Sequence, residues 1–300
     1  MNAARTARVL APAKINLALR IVDRRADGYH LLDSLMTPID LYDELFIRVD
    51  PRGRRSITVA CDEAAVPSGP GNLAYRAAEL FLARCSMSAA VSIDLHKRIP
   101  AGSGLGGGSS DAAAVLLALN EMLSGGRTRG RLAAWGAELG ADVPFSVHGR
   151  PARVQGIGEQ VSVLNGWPGI AMVVARPARG LSTAAIYRRF DERVREPEAS
   201  LTKRDLATSI ADFAAGRSPL RELLVNDLEA VAVEVCPDVG SVKTLLQELG
   251  ADGTLMTGSG SAVFGVWPSL DAARTAAAAI CDRGYWAVAA QTIDASPAIA

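Results

Sequence analysis

PAGSGLGGGSSDAA, Pro100 to Ala113, carries five glycines between an alternating segment and an Ala/Leu-rich one. Without Cβ atoms, such a run lets a ligand approach the main chain, and the exposed amides then call for an anion. Successive N–H groups at a helix N-terminus, aided by the helix dipole, form a ready phosphate site. Ser109 and Ser110 add hydroxyls that suit phosphate or Mg²⁺. A flexible linker would need no helix straight after it and would rarely hold Leu105 at its centre.

Outward from this loop, the order of elements narrows the fold. Before it, Val91, Ile93 and Leu95 alternate with Ser92, Asp94 and His96, the period of two of a strand that stops at Pro100. After it, Asp111 to Leu123 reads as a helix with Ser109 or Ser110 as N-cap and an acidic residue in its first turn. Gly102, Gly104 and Gly107 satisfy GxGxxG, but a dinucleotide fold needs an acidic residue ending a second strand about 20 residues on. That interval is helical here. No lysine follows the glycines, so the Walker A pattern is absent too.

Further out, Ile15, Leu17, Leu19 and Ile21 mark a strand with one buried face, leaving Lys14 and Asn16 together on the other. Asn72 can cap a helix over 73–84, and Arg131 to Leu139 reads as a helix closed by Gly140. The second half predicts strands over 170–175, 254–257, 262–267 and 285–293. Helices are expected over 220–235, stopped by Pro237, over 239–249, and over 270–283. Stripped of its extra helices, that order is β-α-β-β-α-β, the ferredoxin-like sequence of elements. Gly166 and Pro168 punctuate the chain, predicting an α+β protein of two domains, 1–165 and 166–300.

Composition bounds the function. The 300 residues are 49% apolar and 21% charged, with 32 basic and 32 acidic side chains, which excludes disorder and a globally basic nucleic-acid binder. Cys61, Cys85, Cys236 and Cys281 lie far apart with no CxxC pair, so reduced thiols in a cytoplasm are expected. Lys14, Asn16 and Arg20 interrupt the N-terminal apolar stretch, and no signal-peptide core forms. The longest uncharged run, Gly253 to Leu270, is too rich in glycine to span a membrane. The expected partner is a small molecule, with neither nucleic acid nor membrane, for a monomer or weak homodimer.

The glycine loop resembles the second motif of the GHMP kinases, which include galactokinase and the homoserine, mevalonate and phosphomevalonate kinases. Five blocks in the same order make the resemblance narrower: APAKINLALRI (Ala11 to Ile21), RADGYHLLDSLM (Arg25 to Met36), GLGGGSSDAAA (Gly104 to Ala114), LGADVPF (Leu139 to Phe145) and TGSGSAVF (Thr257 to Phe264). Together they are similar to the CDP-methylerythritol kinase family, and the GYH block separates that family from its GHMP relatives. The match thins from Arg188 to Ser218.

The resemblance implies an N-terminal domain like ribosomal protein S5 domain 2 and a C-terminal ferredoxin-like domain. It also implies ATP-dependent phosphorylation of the 2-hydroxyl of CDP-methylerythritol, a step of the non-mevalonate route to isoprenoid precursors, with ATP and Mg²⁺ as cofactors. Asp142 matches the catalytic base, and Lys14 and Asn16 match residues that position the catalytic groups and the substrate. Tyr29 and His30 match the pair that stacks on and hydrogen-bonds cytosine, and Tyr187 matches an aromatic on the base's other side. Pro100, Gly102, Gly104, Leu105, Gly106, Gly107, Gly108, Ser109 and Ser110 match the phosphate loop. Gly258, Ser259 and Gly260 match the third motif, approaching the phosphates from across the cleft, and Asn72 and Lys97 match positions near the adenosine. Another GHMP kinase, or a GHMP-fold protein that binds without transferring phosphate, stands as the alternative.

Overall fold

The computed structural model describes residues 4–194, 205–294 and 297–299. Residues 195–204, inside the stretch where the family resemblance thins, lie outside the described residues. The first half runs β1 (Arg5–Arg24), β2 (His30–Asp50), β3 (Ser56–Cys61), α1 (Leu73–Arg84), β4 (Ala90–His96), α2 (Gly107–Met122), α3 (Arg129–Gly136), α4 (Val143–His148), β5 (Ala152–Gly156) and β6 (Gln160–Val163). The second half runs β7 (Ala171–Arg176), α5 (Thr183–Val194), α6 (Leu206–Ala214), a 3₁₀ turn (Leu220–Glu222) and β8 (Val225–Asn226). It continues with α7 (Glu229–Val235), α8 (Pro237–Glu248), β9 (Thr254–Met256), β10 (Val263–Trp267), α9 (Leu270–Cys281), β11 (Trp286–Gln291) and β12 (Ala298–Ile299).

β1 and β2 form a long antiparallel hairpin whose turn needs Gly28 at φ 93°, a left-handed position that a Cβ would strain. β4 and β3 extend this sheet in the order β12-β1-β2-β4-β3. Helices α1 and α2 pack over it around Phe81, Ile93 and Leu116. The second half forms a four-stranded antiparallel sheet in the order β11-β7-β10-β9, the arrangement of a ferredoxin-like domain, backed by α8 and α9. A third apolar cluster joins the halves, with Ile15, Leu17 and Leu105 against Met172, Leu255 and Phe264. Among the described residues, no helix is long and apolar enough to cross a membrane.

The two halves are interleaved. β8 pairs parallel with β1 at Ala18–Val225, and β12 pairs antiparallel with it at Val9–Ile299. The expected helix over 220–235 is therefore broken into a 3₁₀ turn, a strand and a short helix. There, pairing with β1 outweighs the local apolar period, and Pro237 opens α8 instead of only closing α7.

Three other expectations are corrected. Lys14 and Asn16 do share one face of β1, but that face is buried as well, with only 4% and 3% of each residue exposed. Helix α2 starts at Gly107, because Gly106 in the left-handed region supplies the entry turn with no side-chain cap. Ser109 and Ser110 thus lie inside the first turn, and Asp111 follows it. Helix α3 begins at the Thr128 cap and ends at Gly136, short of Gly140. The Asn72 cap is as read: its side chain accepts from Ala74 N–H at 2.8 Å.

Candidate active site

Two cavities meet at the glycine loop. One, of about 690 Å³, is lined by Lys14, Asn16, Tyr29, His30, Asp142, Tyr187, Gly258 and Ser259. The other, of about 450 Å³, is lined by Asn72, Lys97, Pro100, Gly102, Leu105, Gly107 and Gly108. Gly104, Gly106, Ser109 and Thr183 line both. Both volumes fall in the range of small-molecule sites.

Lys14 and Asp142 stand at that junction. Asp142 occupies the N-cap position of α4 at φ −87°, ψ −9°, yet its side chain makes no cap hydrogen bond. The carboxylate instead faces Lys14, Oδ2 to Nζ 3.4 Å, while about a third of the side chain stays exposed. Lys14 Nζ also donates to Asn16 Oδ1 at 2.6 Å. The Lys14 ammonium is thus held by one carboxylate and one amide oxygen, at a place where a cation can steady a nearby anion. Gly106 makes room for the pair, since a Cβ there would stand 2.8 Å from Lys14 Cγ and 3.6 Å from Asp142 Oδ2.

The second half closes on this centre through the loop after β9. Asn16 N–H donates to Thr257 Oγ1 at 2.9 Å, and Ala262 N–H to the Ser103 carbonyl at 3.0 Å. Asn226 anchors the loop from below, its amide donating to the carbonyls of Met256 (2.7 Å) and Gly258 (2.9 Å). Ser259 Oγ pairs with Thr183 Oγ1 at 2.8 Å. Leu105 turns its side chain into the core between the halves, and its carbonyl accepts from Lys14 N–H at 2.9 Å, tying the glycine loop to β1.

Lys97 has little freedom. Its ammonium is buried between Asp43 and Asp111, 2.8 Å from the latter. Burial alone would lower its pKa, but the two carboxylates override that and raise it. Burial pushes Asp111 up to about 7, Lys97 opposing and Asp43 reinforcing the shift. Asp43 also accepts from Arg98 N–H (2.7 Å) and Ile99 N–H (2.9 Å), fixing the chain just ahead of the glycine loop. At the far end of the first cavity, His30 Nε2 meets Asp191 Oδ1 at 2.6 Å and its ring lies 4.8 Å from that of Tyr187. Tyr187 is half-buried, and its loss of contact with water together with the charge of Asp142 raises its phenol pKa. Tyr29 is 62% exposed at the rim.

The comparisons with known proteins agree with this architecture. The pattern of the GHMP kinases N terminal domain matches residues 72–150, and that of the GHMP kinases C terminal matches 206–285. The 4-diphosphocytidyl-2-C-methyl-D-erythritol kinase of Citrifermentans bemidjiense is 44% identical over 287 residues, covering 95% of this chain and 98% of that one. The chain belongs to the 4-diphosphocytidyl-2-C-methyl-D-erythritol kinases. A crystal structure of a 4-(cytidine 5'-diphospho)-2C-methyl-D-erythritol kinase superposes with a TM-score of 0.79 at 38% identity, covering 98% of this chain and all of the other. Homoserine kinase from Cytophaga hutchinsonii, at 18% identity and a TM-score of 0.73, shares the fold of the family.

Of the positions that its membership in this kinase family brings into view, Ser110 and Gly260 line neither cavity. Ser110 Oγ is buried with no hydrogen-bond partner, because the early start of α2 turns it inward. Sequence reading missed Asp43, Asp191 and Asn226 as supports of the site, and it had Thr257 in the third-motif block without its bond to Asn16. Asn226 was hidden in an expected helix, and no local pattern connects Asp191 to a histidine 161 positions away.

Proposed function

We propose that this kinase transfers the γ-phosphoryl group of ATP to the 2-hydroxyl of 4-diphosphocytidyl-2-C-methyl-D-erythritol, with Asp142 as the base. The observation that carries this reading is the Lys14–Asp142 pair at the junction of two cavities sharing one glycine wall. The smaller cavity takes the nucleotide and the larger takes the cytidine substrate. Phosphoryl transfer asks a protein mainly for alignment and charge stabilisation. Asp142 accepts the proton of the attacking hydroxyl, and Lys14 steadies the oxygen as its negative charge develops. Glycine-loop amides and the start of α2 receive the phosphates.

Among the described residues, no group of three or more His, Cys, Asp or Glu side chains converges as a metal cage. Mg²⁺ in kinase sites keeps several waters and is held by substrate phosphates with one or two protein ligands rather than by an all-protein cage. Ser109, which lines both cavities, would hold it, whereas Ser110 faces away. Bound there, Mg²⁺ would neutralise phosphate charge. A cytoplasmic location and a monomeric or weakly dimeric state form part of the same proposal.

The test is ATP consumption with the cytidine substrate beside mevalonate and homoserine. ADP release with the first alone is expected, and preference for either of the others would overturn the assignment.

A further inference from the structure

Asp191 joins two parts of the molecule that line the larger cavity from different halves. Its Oδ1 meets His30 Nε2 at 2.6 Å, and its Oδ2 meets an Arg24 guanidinium nitrogen at 3.2 Å. Arg24 Nε in turn donates to the Gly28 carbonyl at 3.3 Å, inside the turn that presents Tyr29 and His30. With both oxygens engaged, the carboxylate cannot swing away from the imidazole. The ring is further held by Tyr187 against one face, 4.8 Å away and tilted by 31°, and by Phe190 edge-on at 6.2 Å.

A carboxylate only accepts hydrogen bonds, so Nε2 carries the hydrogen in this pair. In the neutral ring Nδ1 is then the acceptor, the nitrogen left for a ligand in the cavity that His30 lines. A pyrimidine with an exocyclic amine can donate to it. One with an oxo group at the same position presents a second acceptor and is repelled. We propose that Asp191 is a positioning residue that selects the His30 tautomer and so makes the site favour cytosine over uracil. This rests on the reading above that the cytidine base enters the larger cavity.

The test compares CDP and UDP as competitive inhibitors of the wild-type enzyme and of Asp191→Asn. An Asn can either accept from Nε2–H or donate to a bare Nε2, so the tautomer is released. The preference for CDP over UDP is expected to fall at least about tenfold, with the KM for ATP unmoved. Nitrogen-15 NMR of the imidazole is expected to show Nδ1 unprotonated in the wild type and a mixture of tautomers in the variant. Asp191→Glu, which keeps the carboxylate, is expected to restore part of the preference and guards against a merely misfolded Asn variant. An unchanged CDP/UDP ratio with an unchanged spectrum overturns the role of Asp191. If the wild type itself binds CDP no better than UDP, the cytidine-site reading falls instead.

Discussion

Gly104 packs directly on the main chain of Thr257, so that a Cβ at Gly104 would overlap the Thr257 carbonyl oxygen and stand 3.2 Å from Gly260 N. Gly104 also sits at φ 81°, where an L side chain is strained. The glycine loop and the loop after β9 meet here and at the Ser103–Ala262 hydrogen bond. Gly104→Ala is therefore expected to cost about 3 kcal/mol and to separate the two loops. Gly102, at φ 64° with no atom near its Cβ position, provides the control: Gly102→Ala carries only the backbone cost of about 1 kcal/mol. Thermal melting of both variants checks this, and equal losses would show that the packing contributes nothing.

Asp142→Asn removes the proton acceptor while keeping the shape of the side chain. Turnover is expected to fall at least about a thousandfold, with ATP affinity within about twofold, since the carboxylate takes no part in the smaller cavity. Stability is expected to change by about 1 kcal/mol, because Lys14 keeps its bond to Asn16. Turnover close to normal would remove Asp142 from the role of base.

Gly106→Val places a branched side chain at φ 72° against Lys14 Cγ and Cε, not only toward the phosphates. Both kcat and ATP affinity are expected to drop, each by about tenfold or more. Loss of ATP affinity alone, with kcat intact, would show that Lys14 is not displaced. Rapid-mix single-turnover measurements separate the two effects.

The Asp43–Lys97–Asp111 cluster gives a pH dependence with a defined sign. Burial raises Asp111 from the ordinary carboxylate range to about 7 in the native protein. Between about pH 4 and pH 7 the native state therefore holds a proton that the unfolded chain has released. The contribution of this group to stability is largest at low pH and is lost as pH rises through that window. Asp111→Asn mimics the protonated form and cannot lose a proton. Relative to wild type, the variant is expected to gain in urea midpoint from pH 5 to pH 8. A difference that stays constant with pH would show that Asp111 titrates normally.

Residues whose partners are local could be read from the sequence. Asn72 sits one position ahead of its helix, and a side-chain oxygen there has one obvious donor to meet. The strand before the glycine loop and the ferredoxin-like order of the second half follow from alternation and punctuation in the same way. Where a long-range contact competes with a local one, the local pattern misleads. Val225 and Asn226 look helical by period, yet β1 offers them pairing and the loop after β9 offers Asn226 two carbonyls. Ser109 and Ser110 look like caps, but a left-handed glycine one turn earlier already starts the helix. The buried face of Lys14 and Asn16 depends on Thr257, 241 residues from Asn16, and no spacing rule contains that distance.

The insertion of β8 and β12 beside β1 means that the strand bearing Lys14 is completed by residues from the far end of the chain. A gene cut between positions 165 and 166 would give two pieces, the first with a raw sheet margin and the second with orphaned strands. Co-expression is the way to recover activity from such halves, and the intact polypeptide should melt in one calorimetric step.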